Sequence, residues 1–265
     1  MYDIKLMHLN IGLPLLLTLL AGLSTGIGST IAYFIRKPKM VYLSFSLGFS
    51  AGVMIYISFM ELLPTAMEKV GEVRSLIAFF IGIIFIGVID LLVPEAENPH
   101  HLSITQDNGK AQGDEALMRT GLFTALAIAI HNFPEGIGIF ATSLSDIKLG
   151  VIIAIAVAIH NIPEGIAVSI PLFYATGNRN KAFFYSFLSG LSEPMGAVLG
   201  FLILMPFLSE VFVASLLASV AGIMVYISVD EIIPTAHRTG RAHAVILGLV
   251  LGMFVMALSL VVLNY

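Results

Sequence analysis

The sequence predicts an all-α membrane protein with eight transmembrane helices, and three observations support this fold class. The chain has 265 residues, of which 58 % are hydrophobic and only 11 % are charged, whereas soluble domains carry about 25 % charged residues. The apolar residues form stretches of about 20, the length that a helix needs to cross the hydrocarbon of a bilayer. These stretches are continuous, while the strands of a membrane barrel alternate between apolar and polar residues.

The predicted spans are separated by short polar segments and together form a single transmembrane domain, 1–265. The one long polar segment, 94–118, is predicted to be a flexible loop. Its two histidines, His100 and His101, are a modest indication of weak metal capture. The first apolar stretch is long and lacks a basic leader, so we expect a true span and no cleavable signal peptide. The eight spans cover residues 9–35, 41–66, 72–93, 119–142, 147–174, 181–206, 209–236 and 241–263.

The distribution of positive charge predicts how the chain crosses the membrane, because Lys and Arg near span ends favour the cytoplasmic side. Four of the 13 basic residues lie on one side and nine on the side that includes 94–118. This bias puts the 94–118 loop in the cytoplasm and both termini outside it. The nine residues are Arg36, Lys37, Lys39, Lys110, Arg119, Arg179, Lys181, Arg238 and Arg241.

An internal repeat relates the two ends of the chain. AGVMIYISFMELLPTA at 51–66 returns as AGIMVYISVDEIIPTA at 221–236, an offset of 170 residues, with most positions identical. At nearly the same offset, LAGLSTGIGS at 20–29 resembles LSGLSEPMGA at 188–197, and a weaker similarity links the third span to the eighth. The spans therefore group as three, two and three, with helices 1–3 repeated as helices 6–8 around helices 4 and 5.

The two copies of this repeat are predicted to have opposite orientations in the membrane. Five spans separate each helix from its counterpart, and an odd number of crossings reverses the direction of entry. Inverted repeats are typical of transporters, whose binding sites lie near the midplane where the repeats meet. The alternative is that duplication only built a stable bundle.

A second, shorter repeat carries the chemistry. HNFPEGI at 131–137 and HNIPEGI at 160–166 lie in the fourth and fifth spans, each within apolar sequence. Burying His, Asn and Glu in hydrocarbon costs several kcal/mol unless these groups are paired or coordinated. With about 100° per residue, the Glu of each motif falls between its own His and Asn, so it could bridge two cations. The predicted ligands are His131, Asn132, Glu135, His160, Asn161 and Glu164.

Proline and glycine in the same motifs have two explanations. Pro134 and Pro163 lack an N–H, so they free a backbone carbonyl and bend the helix. Gly136 and Gly165 allow neighbouring helices to approach closely. Helices that only kink and pack, with His and Glu hydrogen-bonded to each other, would have these residues too. The occurrence of two copies favours a metal site.

Further carboxylates fall within the spans. Glu193 precedes Pro194 in the sixth span, and its repeat counterpart, Thr25, carries no charge; this asymmetry favours a role in the site. Glu61 and the pair Asp230 and Glu231 lie near span ends, where they serve either metal entry and exit or are simply solvated. Three further groups are expected to be solvated: Asp90, His237 and His243.

The composition of the interior predicts the kind of ligand. Every Lys and Arg can be assigned to a loop or a helix edge, so the spans present only neutral or negative groups, which suit a cation. The chain has no cysteine, and imidazole with carboxylate and amide oxygens suits Zn²⁺, Fe²⁺, Mn²⁺, Co²⁺ or Cd²⁺ better than Cu⁺. We expect these ions and the lipid bilayer as partners, and no nucleic acid.

The paired motifs, in eight spans arranged three, two and three, resemble those of the ZIP (Zrt-, Irt-like) metal transporters, most closely the ZupT-like, GufA-type branch. The resemblance implies uptake of zinc, often with iron, manganese, cobalt or cadmium as alternatives, through the plasma membrane or bacterial inner membrane. It also implies a homodimer and a binuclear centre, with the metal as cargo and no separate cofactor. The family's ligands map onto His131, Asn132, Glu135, His160, Asn161, Glu164 and Glu193, with Glu61 beside them.

Two other functional classes share part of this pattern. An intramembrane metalloenzyme would also place His and Glu on one helix, but zinc proteases carry His-Glu-x-x-His and di-iron bundles carry Glu-x-x-His. Both motifs of this chain have His-Asn-x-Pro-Glu instead, so we expect no enzyme. A metal-loaded structural protein or sensor fits the ligands but leaves the inverted repeats unexplained.

Overall fold

The computed structural model describes residues 11–34, 40–92, 110–204, 209–238 and 242–264. Within these ranges the chain forms eight helices and no strand, as the composition predicts. Three of the helices are made of consecutive segments. The helices are α1 (Gly12–Phe34), α2 (Met40–Ile57, Ser58–Leu62 and Leu63–Val70), α3 (Glu72–Leu92), α4 (Lys110–Ser145), α5 (Ile147–Thr176), α6 (Arg179–Gly190 and Ser192–Leu204), α7 (Glu210–Ile227, Ser228–Ile232 and Ile233–Arg238) and α8 (Ala242–Asn264).

Seven of these described helices are long and apolar enough to cross a membrane, and α4 is not among the seven. The prediction of membrane helices is therefore confirmed for seven of the eight spans, while the fourth span stays a prediction. Helix α4 begins at Lys110, inside the segment 94–118 that we expected to be a loop. The reason is that KAQGDEALMR consists mainly of good helix formers.

Several predictions concern residues outside the described ranges or described only in their backbone. His100 and His101 lie outside these ranges, as does the rest of the expected loop up to residue 109. The same applies to several basic residues on which the predicted orientation depends, so the orientation stays a prediction. Those residues are Lys5, Arg36, Lys37, Lys39 and Arg241, together with the side chains of Lys110, Arg119 and Arg238.

Helix α5 occupies the centre of the molecule. It packs against α1, α2, α4 and α6, and 67 % of its apolar span is buried, against 28 % in α3 and in α8. Local sequence sets both of its ends. The side chain of Asp146 accepts a hydrogen bond from the N–H of Leu149 at the start, and Gly177 ends the helix at a left-handed φ of 61°, which glycine adopts without strain.

The helices contact one another in pairs that follow the sequence repeat. Helix α2 packs on α8, and its repeat counterpart α7 packs on α3. Gly52 lies against the carbonyl oxygen of Leu249, and Gly222 lies against the carbonyl oxygen of Phe79, so closely that a Cβ would collide in both places. Both glycines and both carbonyls are related by the 170-residue offset. Small residues thus allow the backbones of both pairs to meet.

The same correspondence holds around the two motifs. In α1, Gly28 lies against the carbonyl oxygen of Ile162 in α5, and its counterpart in α6, Gly196, lies against the carbonyl oxygen of Phe133 in α4. Between α1 and α6 the two copies meet directly. A Cβ on Gly22 would collide with the carbonyl oxygen of Gly190, and a Cβ on Gly190 with that of Gly22. The contact is therefore reciprocal.

Helices α2 and α7 each contain a π-helical turn, at Ser58–Leu62 and Ser228–Ile232. In α2 the N–H of Leu63 reaches the carbonyl oxygen of Ser58, five residues earlier, and the same bond recurs in α7. Pro64 and Pro234 stand two residues after the ends of these turns, and a proline ring cannot fit against the carbonyl of an uninterrupted α-helix. Single π turns are frequent at functional sites, and these two carry Glu61, Asp230 and Glu231.

Helix α6 is interrupted in the middle of its span. Its first segment ends at Gly190, Leu191 forms a turn, and the second segment begins at Ser192. Glu193 lies in the first turn of that second segment and is followed by Pro194, which is favoured at a helix start because it needs no N–H partner there. Glu193 therefore lies directly after a break in the helix.

We expect Gly82→Ala to destabilise the bundle, because its new Cβ would collide with the backbone oxygen of Ser219 in α7. Overpacking of this kind costs about 1–3 kcal/mol. The midpoint of thermal unfolding in detergent should fall by several degrees. Gly87→Ala in the same helix is the matched control, because its Cβ would approach only the ring of Tyr226, at 3.4 Å. Equal midpoints for the two variants would contradict this account of the α3 and α7 contact.

Candidate metal centre

The two motifs and Glu193 come together inside the helix bundle. Helix α4 carries one motif, α5 carries the other, and α4 packs against both α5 and α6. Each of the seven side chains has at most 1 % of its surface exposed. We call this set the central cluster; it consists of His131, Asn132, Glu135, His160, Asn161, Glu164 and Glu193.

Histidine and glutamate pair across the two helices. The Nε2 atom of His131 lies 3.2 Å from Oε2 of Glu164, and Nε2 of His160 lies 3.3 Å from Oε2 of Glu135. Each motif therefore binds the other, although helical angles alone had placed each Glu beside its own His and Asn. This crossed pairing gives each of the four buried side chains a partner, and these groups would be costly to leave unpaired in an apolar interior.

The asparagine of the second motif joins three helices. Nδ2 of Asn161 donates a hydrogen bond to Oε1 of Glu193 in α6 and another, of 3.1 Å, to the carbonyl oxygen of Ala21 in α1. Its Oδ1 has no hydrogen-bond partner. The amide is thus fixed by its nitrogen, while its oxygen is available to a cation.

The asparagine of the first motif makes no such hydrogen bonds. Neither Oδ1 nor Nδ2 of Asn132 has a hydrogen-bond partner in the structure, although the residue is fully buried. At the position corresponding to Glu193, α1 has Thr25, and the hydroxyl of Thr25 is unpartnered too. The two halves of the central cluster therefore differ, because only one of them has a carboxylate for its asparagine.

Most unpartnered atoms of the central cluster are of types that are able to bind metals. Buried polar atoms without partners are rare and require an explanation, and in the central cluster seven such atoms belong to imidazole, amide or carboxylate groups. Among the side chains that the structure describes, no three His, Asp or Glu residues already surround one point; the four charged groups of the motifs meet two by two. The seven atoms are Nδ1 of His131 and His160, both amide atoms of Asn132, Oε1 of Glu135, Oδ1 of Asn161 and Oε2 of Glu193, of which one, Nδ2 of Asn132, is a donor.

A serine that the sequence did not single out also contacts the central cluster. Ser50 of α2 is fully buried, and its hydroxyl lies 3.3 Å from Oε1 of Glu164 and 3.4 Å from the carbonyl oxygen of His160. Serine is common in membrane helices, where it usually bonds to its own backbone. Only the packing of α2 on α5 distinguishes Ser50 from such residues.

The carboxylates near the span ends lie on the π turns and are partly exposed. Glu231 is close enough to His131 and Glu164 to interact with them electrostatically. The hydroxyl of Tyr226 bonds to the carboxylates of both Asp230 and Asp90. Asp90, which we expected to be solvated, is therefore bound within the bundle because α3 packs against α7. His237 and His243 are exposed, as predicted.

The two asparagines offer a test of this geometry. We expect Asn161→Ala to destabilise the metal-free protein, because Glu193 and the carbonyl of Ala21 would lose a donor, at a cost of about 1–3 kcal/mol. Asn132→Ala should have a much smaller effect, because it removes no hydrogen bond. Thermal unfolding in detergent with a chelator measures both variants. A larger loss for Asn132→Ala would contradict the observed bonding.

Comparison with known proteins identifies the family. Residues 90–260 match the family model described as ZIP Zinc transporter. The chain is 56 % identical to the "Zinc transporter ZupT" of Chlorobium phaeovibrioides, over 94 % of this chain and 97 % of that protein. It is 51 % identical to the protein of that name in Clostridium perfringens, covering 95 % and 96 % of the two chains, and 50 % identical to that of Streptococcus mutans, covering 92 % and 95 %.

These similarities extend over nearly the whole chain and include both motifs, α6 and the π turn of α7. Family members are transporters and not enzymes, so the intramembrane metalloenzyme is not supported. Together with the apolar helices, the comparisons identify an integral membrane protein. The chain belongs to the ZIP zinc transporter family.

Proposed function

We propose that this protein carries zinc into the cytoplasm across the plasma membrane, the inner membrane of a bacterial cell, and that the central cluster is its binding site. The observation that carries the proposal is a set of seven polar side chains that are completely buried inside the helix bundle and bear seven unpartnered polar atoms. The buried polar side chains of the described residues include no Lys or Arg. Similarity to proteins named zinc transporters supports the same cargo.

Zinc would bind by replacing one set of contacts with another. In the structure the histidines and glutamates of α4 and α5 hold one another at 3.2 and 3.3 Å. A Zn²⁺ ion takes imidazole nitrogen and carboxylate oxygen at about 2.0–2.2 Å, so small shifts of these side chains would let it enter between the partners. The groups that stabilise the metal-free protein are thus the groups that strip water from the ion.

We assign two ions to the central cluster. Glu135 and Glu164 each have two oxygens, so each is able to bridge two cations. Asn161 and Glu193 are already held together, and both have an unpartnered oxygen, which suits a second ion beside the histidines. The ligand types also admit Fe²⁺, Mn²⁺, Co²⁺ and Cd²⁺.

We assign metal entry to Glu61 and metal exit to Asp230 and Glu231. The electrostatic coupling of Glu231 to His131 and Glu164 supports a continuous path. The π turns support it too, because they interrupt the helices at these carboxylates. In this proposal both termini are extracytoplasmic and the 94–118 segment, which includes the start of α4, lies in the cytoplasm.

We further propose that helices 1–3 and 6–8 are inverted repeats around helices 4 and 5, in an arrangement of three, two and three, and that two copies of the chain form a homodimer. The paired glycine contacts, which recur at the repeat offset, support the internal symmetry. Such symmetry is the usual basis of alternating access in transporters. The lipid-facing surfaces of α3 and α8 leave room for a partner.

The first test is uptake of radioactive zinc into proteoliposomes. Glu164→Ala removes a carboxylate that contacts both His131 and Ser50, and we expect initial uptake at low zinc concentrations to fall at least roughly tenfold, since even groups behind metal ligands matter by that factor. Glu210→Ala is the control, because that glutamate is exposed at the start of α7. Undiminished uptake by Glu164→Ala would remove this residue from the site. Competition by other divalent metals in the same assay would rank the cargo.

The second test is a metal count. We expect two zinc ions per chain, measured by elemental analysis of the detergent-solubilised protein at saturating zinc. Glu193→Gln should lower the count to one, because it removes the negative charge of Glu193, and the corresponding residue of the other half, Thr25, carries no charge. A wild-type count of one or fewer would argue against the second ion.

A further inference from the structure

Ser50 is the feature of the central cluster that neither motif explains. It belongs to α2, which is outside the group of α4, α5 and α6 that carries the seven ligands. Its side chain is fully buried, and its hydroxyl has a single proton to donate. Of its acceptors, the carboxylate oxygen of Glu164 at 3.3 Å is charged and therefore stronger than the backbone oxygen of His160 at 3.4 Å.

The hydrogen bond from Ser50 gives the second carboxylate oxygen of Glu164 a partner. Oε2 of Glu164 faces His131, and Oε1 faces Ser50, so both oxygens are held in place. Glu135, the corresponding residue of the other motif, has only Oε2 engaged, with His160, while its Oε1 is unpartnered. The two glutamates are thus chemically identical but differently restrained.

The internal repeat explains the difference. At the offset of 170 residues, Ser50 corresponds to Val220 in α7, which has no hydroxyl. Val220 lines a small cavity together with Glu135, whose only neighbours there are apolar residues and Gly138. The two repeat copies therefore differ at this position: Ser50 donates a hydrogen bond to a motif glutamate, and Val220 has no group that could do so.

We infer that Ser50 is a positioning residue for zinc, which holds the Glu164 carboxylate in the orientation that the ion requires and makes the α5 half of the central cluster its preorganised half. A carboxylate that is already oriented loses less rotational freedom when the metal arrives. Ser50 acts through Glu164 and does not itself bind the ion. This inference rests on the proposed zinc transport.

The test compares Ser50→Ala with Ser75→Ala in zinc uptake. Ser75 is equally buried, and its hydroxyl bonds to the carbonyl oxygen of Gly71 in the preceding turn. For Ser50→Ala we expect the KM for zinc to rise roughly threefold to tenfold, as for the loss of one hydrogen bond of ordinary strength, with the maximal rate unchanged. The zinc Kd, measured by calorimetry in detergent, should rise by the same factor. Ser75→Ala should match the wild type in both assays.

Three outcomes would overturn the inference while the wild type transports zinc. They are an unchanged KM and Kd, a reduced maximal rate with unchanged KM, and equal losses in both serine variants. The second would assign Ser50 to a conformational step, and the third would assign it to helix packing. A wild type that takes up no zinc would instead refute the proposed function, so the two failures are distinguishable.

Discussion

The need to neutralise ionisable groups in an apolar interior governs the architecture of this protein. Two histidines and two glutamates lie in helices that are otherwise hydrophobic, and each would be costly alone. They are stable because each histidine of one motif meets the glutamate of the other, at 3.2 and 3.3 Å. That exchange requires α4 and α5 to face each other closely, while the glycines of the two motifs let α6 approach α4 and α1 approach α5.

The second organising feature is the difference between two similar halves. The repeat supplies matched helix pairs and matched π turns, while the ligands depart from it at a few positions. Glu193 stands opposite Thr25, and Ser50 stands opposite Val220. As a result Asn161 and Glu164 are held by neighbouring helices, whereas Asn132 and one oxygen of Glu135 are unpartnered. Local departures from symmetry thus create distinct environments for identical residue types.

The sequence was sufficient to predict seven of the membrane helices and the side chains that meet in the central cluster, because hydrophobic length and repeated motifs are local properties. It did not predict the crossed pairing, because helical angles relate residues only within one helix. The start of α4 at Lys110 was missed because a polar segment was taken for a loop. Ser50 and the bonding of Asp90 depend on which helices become neighbours, and no spacing along the chain encodes that.

The reciprocal contact of Gly22 and Gly190 has a consequence for how such a chain tolerates change. Each glycine meets its own counterpart, which is the geometry of an isologous interface between two identical subunits, realised here within one polypeptide. A side chain added to either glycine would press on the equivalent point of the other half. Elsewhere in the protein the two copies are free to diverge, as the serine and valine positions have done. At this contact, the backbone of each half leaves no space for a side chain on the glycine of the other half.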